Sequence, residues 1–304
     1  MAIRMPTCRT STTNSSSSYK TSRGDAQAHL DEWRGQIVLG DCVVGLRGLP
    51  VNCAHLIIAD PPYNLEKDFG VWNEKEHKKE WLPWCREWLG ECKRILRPGG
   101  SIFVYGIHHH LCWIQCHLYE LGLDYRRQII WHYENGFGGY TKTLAAHYEP
   151  LLWFSKGDAF TYHPIREPYK STERLRHPIT KNGRVWKPNP EGRLAGDVWR
   201  FPVLAGRRFR DEKVPHPTQK PMSISTRIVN HFSNPGDLVI VPFAGSGSEC
   251  LAATLGKRDF IGFELNPDYV KIAHTRLSAE QGIRYAIAEI ASDSPTSKAR
   301  AKVP

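Results

Sequence analysis

What most constrains the fold of this chain is the alternation of short apolar strands with amphipathic helices. Residues 36–39, 55–59, 101–105, 129–132, 150–154, 238–241 and 260–263 read as seven strands. Residues 78–96 place Trp81, Trp84, Cys85, Trp88, Leu89, Cys92 and Leu96 at helical spacing, and Arg97-Pro98-Gly99-Gly100 stops that helix. Further helices are predicted over 223–232, 248–255 and 267–277. Strand, helix, strand in this rhythm requires a mostly parallel sheet covered on both faces, an α/β doubly wound fold.

Composition agrees with such a fold. At 304 residues and 40% hydrophobic content the chain has enough apolar surface for one large core, which excludes disordered and collagen-like classes. The longest apolar run, 238–244, is far short of the ~18 residues a membrane-spanning helix needs, so no membrane partner is expected. Eight cysteines lie without paired spacing, which points to a reduced, cytoplasmic setting. Residues 1–28 are rich in Ser and Thr with no acid before Asp25, and are expected to be a disordered extension. The same makeup leaves an organelle-targeting role open. A loose tail is expected over 282–304. His108, His109, His110, Cys112, Cys116 and His117 crowd together, yet no second ligand pair lies at zinc spacing, so no metal is expected.

The rhythm breaks over 160–215. Lys and Arg exceed Asp and Glu by 41 to 31 in the whole chain, and 13 basic against 6 acidic residues fall between His163 and Lys213. Such a cluster, interleaved with Trp186, Trp199, Phe201 and Phe209, fits a polyanion with stackable bases. Arg174, Arg176, Arg184, Arg207, Arg208 and Arg210 are the candidate contacts to nucleic acid.

Two strand ends carry the chemistry. Strand 238–241 runs through Pro242, Phe243 and Ala244 into Gly245-Ser246-Gly247, and Glu264 follows at the tip of the next strand. Glycines admit close backbone approach, and the acid can accept from ribose hydroxyls, so an adenosine-containing cofactor is expected. The other strand, 55–59, ends in Asp60-Pro61-Pro62-Tyr63-Asn64. Consecutive prolines remove two donors and leave the Asp60 carboxylate and the Pro61 carbonyl as acceptors beside an aromatic ring. That set suits the exocyclic amine of a flat base, with Tyr63 stacking on its face.

Asp60 to Tyr63 resembles the DPPY motif of S-adenosylmethionine-dependent DNA amino-methyltransferases, and Phe243 to Gly247 resembles their FxGxG loop. Catalytic motif before basic insert before cofactor loop is similar to the β class, whose Rossmann-like methyltransferase fold is circularly permuted. His216-Pro217-Thr218-Gln219-Lys220-Pro221 is similar to the HPTQKP segment of that family, Gly40-Asp41-Cys42 to its Gly-Asp strand end, and His147-Tyr148-Glu149 to its HE-type strand entry. The resemblance implies methyl transfer from S-adenosylmethionine to N6 of adenine in double-stranded DNA after base flipping, because Asp rather than Ser opens the motif. It implies a restriction-modification setting, pairing into homodimers as many relatives do, and a place beside the nucleoid. Catalysis falls to Asp60, Pro61, Pro62 and Tyr63. Cofactor contacts fall to Asp41, Cys42, Asp60, Thr218, Gln219, Lys220, Phe243, Ala244, Gly245, Ser246, Gly247, Glu264 and Asn266. Two departures stand out: Val241 replaces the usual Asp before Pro-Phe, and Gly247-Ser248-Glu249 replaces Gly-Thr-Thr. Rival readings are an N4-cytosine or RNA amino-methyltransferase, and a non-catalytic nucleic-acid-binding relative. The expected layout is a catalytic half (29–159), a basic recognition insert (160–215) and a cofactor half (216–281).

Overall fold

The computed structural model describes residues 23–133, 135, 144–281 and 288–289. In chain order it runs α1 (Arg23–Trp33), β1 (Gln36–Leu39), α2 (Cys42–Arg47), β2 (Ala54–Ala59), α3 (Trp81–Ile95), β3 (Leu96–Tyr105), α4 (Leu111–Glu120), β4 (Asp124–His132) and β5 (Tyr148–Ser155). The insert carries β6 (Arg166–Glu167), β7 (Ile179–Lys181), β8 (Arg184–Trp186), β9 (Arg193–Leu194) and β10 (Val198–Arg200). Then come α5 (Met222–Phe232), β11 (Leu238–Val241), α6 (Ser248–Leu255), β12 (Asp259–Glu264), α7 (Pro267–Gln281) and β13 (Ala288–Glu289).

The central sheet has the order β10-β4-β5-β3-β2-β11-β12-β1-β13. Only β5 runs antiparallel to its neighbours; the other pairings are parallel. Alternate residues of a strand serve opposite faces, and β2 shows it: Ile57 and Ala59 join one apolar cluster, Leu56 and Ile58 the other. The first cluster is roofed by α1 to α4 through Trp33, Leu46, Trp88 and Ile114, the second by α5 to α7 through Ile228, Leu251 and Val270. The α/β doubly wound expectation therefore holds, with helices on both faces.

Three boundaries differ from the sequence reading. Among the described residues the sheet has nine strands rather than seven. One added edge is β10, from the insert, where Trp199 pairs in register with Trp131 and is 2% exposed. The expectation that Trp199 stacks on bases is corrected: its indole is core. The other added edge is β13, which pairs with Val38 and Leu39 of β1 inside the stretch read as a loose tail. Helix α1 begins at Arg23, so residues 23–28 are helical; Ala26, Leu30 and Trp33 supply the buried face that the Ser/Thr-rich composition obscured. Residues 1–22, 282–287 and 290–304 of the expected tails lie outside the described residues.

Candidate active site

Strands β2 and β11 are neighbours at the middle of the sheet, with Val239 opposite Leu56 and Ile240 opposite Ile57. Parallel pairing puts both carboxyl ends on one edge. Thus the loop after Ala59 and the loop after Val241, remote in sequence, open side by side, where open α/β sheets hold ligands. Between them lies a cleft of about 1010 Å³, part of it open to solvent. Asp60, Pro61, Pro62 and Tyr63 line it, as do Asp41, Cys42, Thr218, Gln219, Lys220, Phe243, Ala244, Gly245, Ser246, Glu264 and Asn266.

Asp60 is engaged on both oxygens. Its Oδ1 accepts the Tyr63 hydroxyl at 2.5 Å, and its Oδ2 lies 2.7 Å from Lys220 Nζ. The Tyr63 hydroxyl also stands 3.2 Å from Glu149 Oε2, and Lys220 Nζ lies 3.6 Å from the same oxygen. Lys220 was expected beside the cofactor through its motif; it borders that cleft but spends its charge on Asp60. Burial alone would lower the pKa of its ammonium, yet the Asp60 and Glu149 carboxylates outweigh that and raise it. Burial, then Asp60 and Glu149, raise the Tyr63 phenol as well, so it stays a donor.

The backbone around this motif is pinned by side chains for which the sequence reading foresaw no such role. Trp81 Nε1 donates to the Pro62 carbonyl at 2.7 Å, and His110 Nδ1 lies 2.7 Å from the Tyr63 carbonyl. His110 thus belongs to the scaffold, and among the described residues no group of three or more His, Cys, Asp or Glu is placed to hold a metal ion. Glu74, 1% exposed, accepts from the backbone N–H groups of Asn64 (2.7 Å), Leu65 (2.6 Å) and Lys67 (3.0 Å). Those bonds hold a loop in which Asn64 and Glu66 have φ of 60° and 61°, a strained region for such residues.

On the cofactor side, Glu264 Oε2 accepts from Gly245 N and Oε1 from Asn266 N, each at 2.8 Å. Burial raises its pKa against those backbone bonds. A Cβ at Gly245 would sit 2.9 Å from His216 Nε2, so only glycine lets the loop close on the HPTQKP-like segment. Burial pushes the His216 imidazole down to about 4, despite Asp60, so the ring is neutral. Gly247, expected in the cofactor set, is not among the cleft-lining residues; it lets α6 pack on α7, where a Cβ would lie 2.8 Å from that of Ala273. Asp41 caps α2, its Oδ1 accepting from Val43 N and Val44 N. Val241 is buried in the sheet, and a carboxylate nonetheless reaches the cleft from Glu249 in the first turn of α6, bonded by Ser225 Oγ at 3.0 Å.

The six candidate arginines of the insert, Arg174, Arg176, Arg184, Arg207, Arg208 and Arg210, do not border the cleft. Arg176 pairs with Glu173 at 2.8 Å, Arg174 donates to the His177 carbonyl, and Arg210 lies 3.8 Å from Asp211. Arg208 stacks on Phe209 with 4.7 Å to the ring centroid, and Arg207 shares its short turn. Arg184 sits on the β7–β8 hairpin, whose Ile179, Val185 and Trp186 are exposed.

A doubly wound sheet with an amine-accepting loop and a glycine loop on one edge is the architecture of an amino-methyltransferase. The chain belongs to the DNA methylase family, whose model matches residues 54–275. It is 34% identical over 231 residues to Type II methyltransferase M1.MboII of Moraxella bovis, covering 72% of this chain and 87% of the relative. It is 32% identical over 263 residues to DNA adenine methyltransferase YhdJ of Escherichia coli (strain K12), covering 84% and 86%. The fold is similar to the crystal structure of an M1.HpyAVI-SAM complex, with a TM-score of 0.55 at 23% identity over 80% of this chain and 98% of that one.

Proposed function

We propose that this protein transfers a methyl group from S-adenosylmethionine to N6 of adenine in double-stranded DNA. The observation that carries the reading is the meeting of Asp60 and Gly245 in one cleft, from loops more than 180 residues apart. The cleft fits an adenosine-containing cofactor by its chemistry and its room: Glu264 and Asp41 offer carboxylate acceptors, Phe243 and Trp84 aromatic surface, and Gly245 backbone unshielded by a side chain. Bound there, S-adenosylmethionine supplies an electrophilic methyl on a sulfonium. Asp41, Cys42, Phe243, Gly245, Glu264 and Asn266 would hold it, with Thr218 and Gln219 at its other end.

The remaining work belongs to the chain's own residues. Basic side chains of the insert hold phosphates, and the target base leaves the stack at a cost of a few kcal/mol. Asp60 and the Pro61 carbonyl accept the amine protons, which turns the nitrogen lone pair out of conjugation and toward the cleft. Much of the acceleration is positional. Asp60 stabilises the positive charge growing on nitrogen and takes the proton late, since early removal from an aromatic amine by a carboxylate is badly mismatched in pKa. Support for adenine comes from Asp at position 60 and from the 32% identity to DNA adenine methyltransferase YhdJ. Work on DNA would put the protein in the cytoplasm beside the nucleoid; a homodimer is part of the same reading.

The test is to incubate purified protein with S-adenosylmethionine and unmodified genomic DNA, then analyse the nucleosides and sequence the modified bases. N6-methyladenine at one short motif is the expected result. N4-methylcytosine, or methyl transfer to RNA alone, would overturn the choice of base or substrate; no cofactor binding at millimolar concentration would favour a non-catalytic relative.

A further inference from the structure

In the free protein, the carboxylate expected to receive the target amine already holds two donors. Tyr63 Oη sits on Oδ1 at 2.5 Å and Lys220 Nζ on Oδ2 at 2.7 Å. An incoming amine with two protons must share or displace them. The side chain of Lys220 is 5% exposed, so its ammonium has no water to fall back on. A buried cation stripped of its partner is strongly destabilised, and a donor hydroxyl left unmatched adds to that. Some second acceptor must therefore stand within reach of both donors.

One does. Glu149, in β5 on the far side of β3 from β2, sends Oε2 to 3.2 Å from Tyr63 Oη and 3.6 Å from Lys220 Nζ. Neither distance is the short contact that Asp60 makes, yet each closes to a full bond with a small side-chain shift. Glu249 also borders the cleft, but its carboxylate is tied to Ser225 at 3.0 Å. Glu149 keeps 23% of its side chain exposed and is less constrained.

We infer that Glu149 is a positioning residue for methyl transfer: it takes over the Tyr63 hydroxyl and the Lys220 ammonium as Asp60 turns its oxygens to the target amine. This rests on the functional reading above. No proton changes hands in the exchange; two donors swap acceptors, and the charge balance of the buried cluster is unaltered. Without Glu149, Asp60 would be held by Lys220 and Tyr63 and would meet the amine poorly.

The test compares wild type with Glu149→Gln and Glu149→Ala, measuring kcat and KM on methylatable DNA, cofactor affinity by calorimetry, and thermal unfolding. Gln keeps a carbonyl for Tyr63 but cannot neutralise Lys220, so kcat should fall about 10-fold; Ala removes both and should cost about 100-fold. Cofactor affinity, KM for DNA and the unfolding temperature of the isosteric Gln variant should stay near wild type. In a double cycle with Tyr63→Phe, the Glu149→Gln effect should shrink, because one of the two donors it serves is gone. Both variants at wild-type kcat, or kcat losses matched by equal losses of cofactor affinity and fold, would overturn the inference and leave the function standing. A wild type that binds cofactor but methylates no nucleic acid would overturn both.

Discussion

Removing the carboxylate at position 60 does two separable things. It takes away the acceptor for the amine, and among the described residues it leaves Lys220 with Glu149, 3.6 Å away, as its remaining ion-pair partner in a nearly dry site. Asp60→Ala should therefore abolish methyl transfer while leaving DNA binding nearly intact, and should lower stability by about 3 kcal/mol, the usual cost of breaking a buried pair from one side. Activity assays, filter binding and urea unfolding check the three parts; wild-type turnover would sink the mechanism. Tyr63→Ala should weaken turnover more than cofactor binding. His216 gives a pH signature. Its folded pKa, about 4, is below the 6.5 of the free side chain, so its contribution is complete above pH 6.5 and is lost as pH falls toward 4. The difference is on the order of 3 kcal/mol. A His216→Gln variant should show a flatter fall in unfolding temperature between pH 6.5 and 4 than wild type.

At the scale of elements, Glu74 gathers the part of the loop after β2 that follows Tyr63. Glu74, 1% exposed, matches three backbone donors at once with its two carboxylate oxygens. Glu74→Ala should free the amides of Asn64, Leu65 and Lys67 for hydrogen exchange and weaken cofactor binding about 10-fold, because Phe69 of the same loop carries a bond from Asn266 Nδ2 at 3.0 Å. Unchanged exchange at those amides would refute that role. The insert, by contrast, is anchored by β10. Trp199 donates from Nε1 to the Gly196 carbonyl at 3.1 Å and is packed in the sheet cluster, so Trp199→Ala should cost about 3–5 kcal/mol and loosen the insert. DNA affinity should then fall while the cofactor half keeps its ligand, measurable by calorimetry on the same sample.

For the molecule as a whole, the proposed function assigns the charge excess of the insert to meeting DNA, which makes salt dependence its test. Arg184 stands on an exposed hairpin with no acidic neighbour among its strand partners, whereas Arg176 is already paired with Glu173. Arg184→Ala should lower the slope of log affinity against log salt by about 1, and Arg176→Ala should lower it less. Equal slopes for the two variants would show that the hairpin is not the contact surface. Cofactor binding should also be felt globally: at 100 times its dissociation constant it should add about 2.7 kcal/mol to unfolding, seen as a rise in unfolding temperature.

The seven inner strands, helices α3 and α5 to α7 and the two loaded loops were legible in the amino-acid order, because period, proline and glycine act locally and leave their mark on nearby residues. Helix α1 and strands β10 and β13 were not, since each is made by burial against partners distant in the chain. The cleft lining followed largely from motifs, yet the ring of Asp60, Tyr63, Glu149 and Lys220 came only from tertiary structure. Those four residues come from three separate stretches of sequence, and nothing near Lys220 or Glu149 announces that each will lose its water and must find its counter-charge in the other segments. Local sequence chooses the elements and their chemistry; desolvation, which exists only once the sheet is assembled, chooses which charges pair.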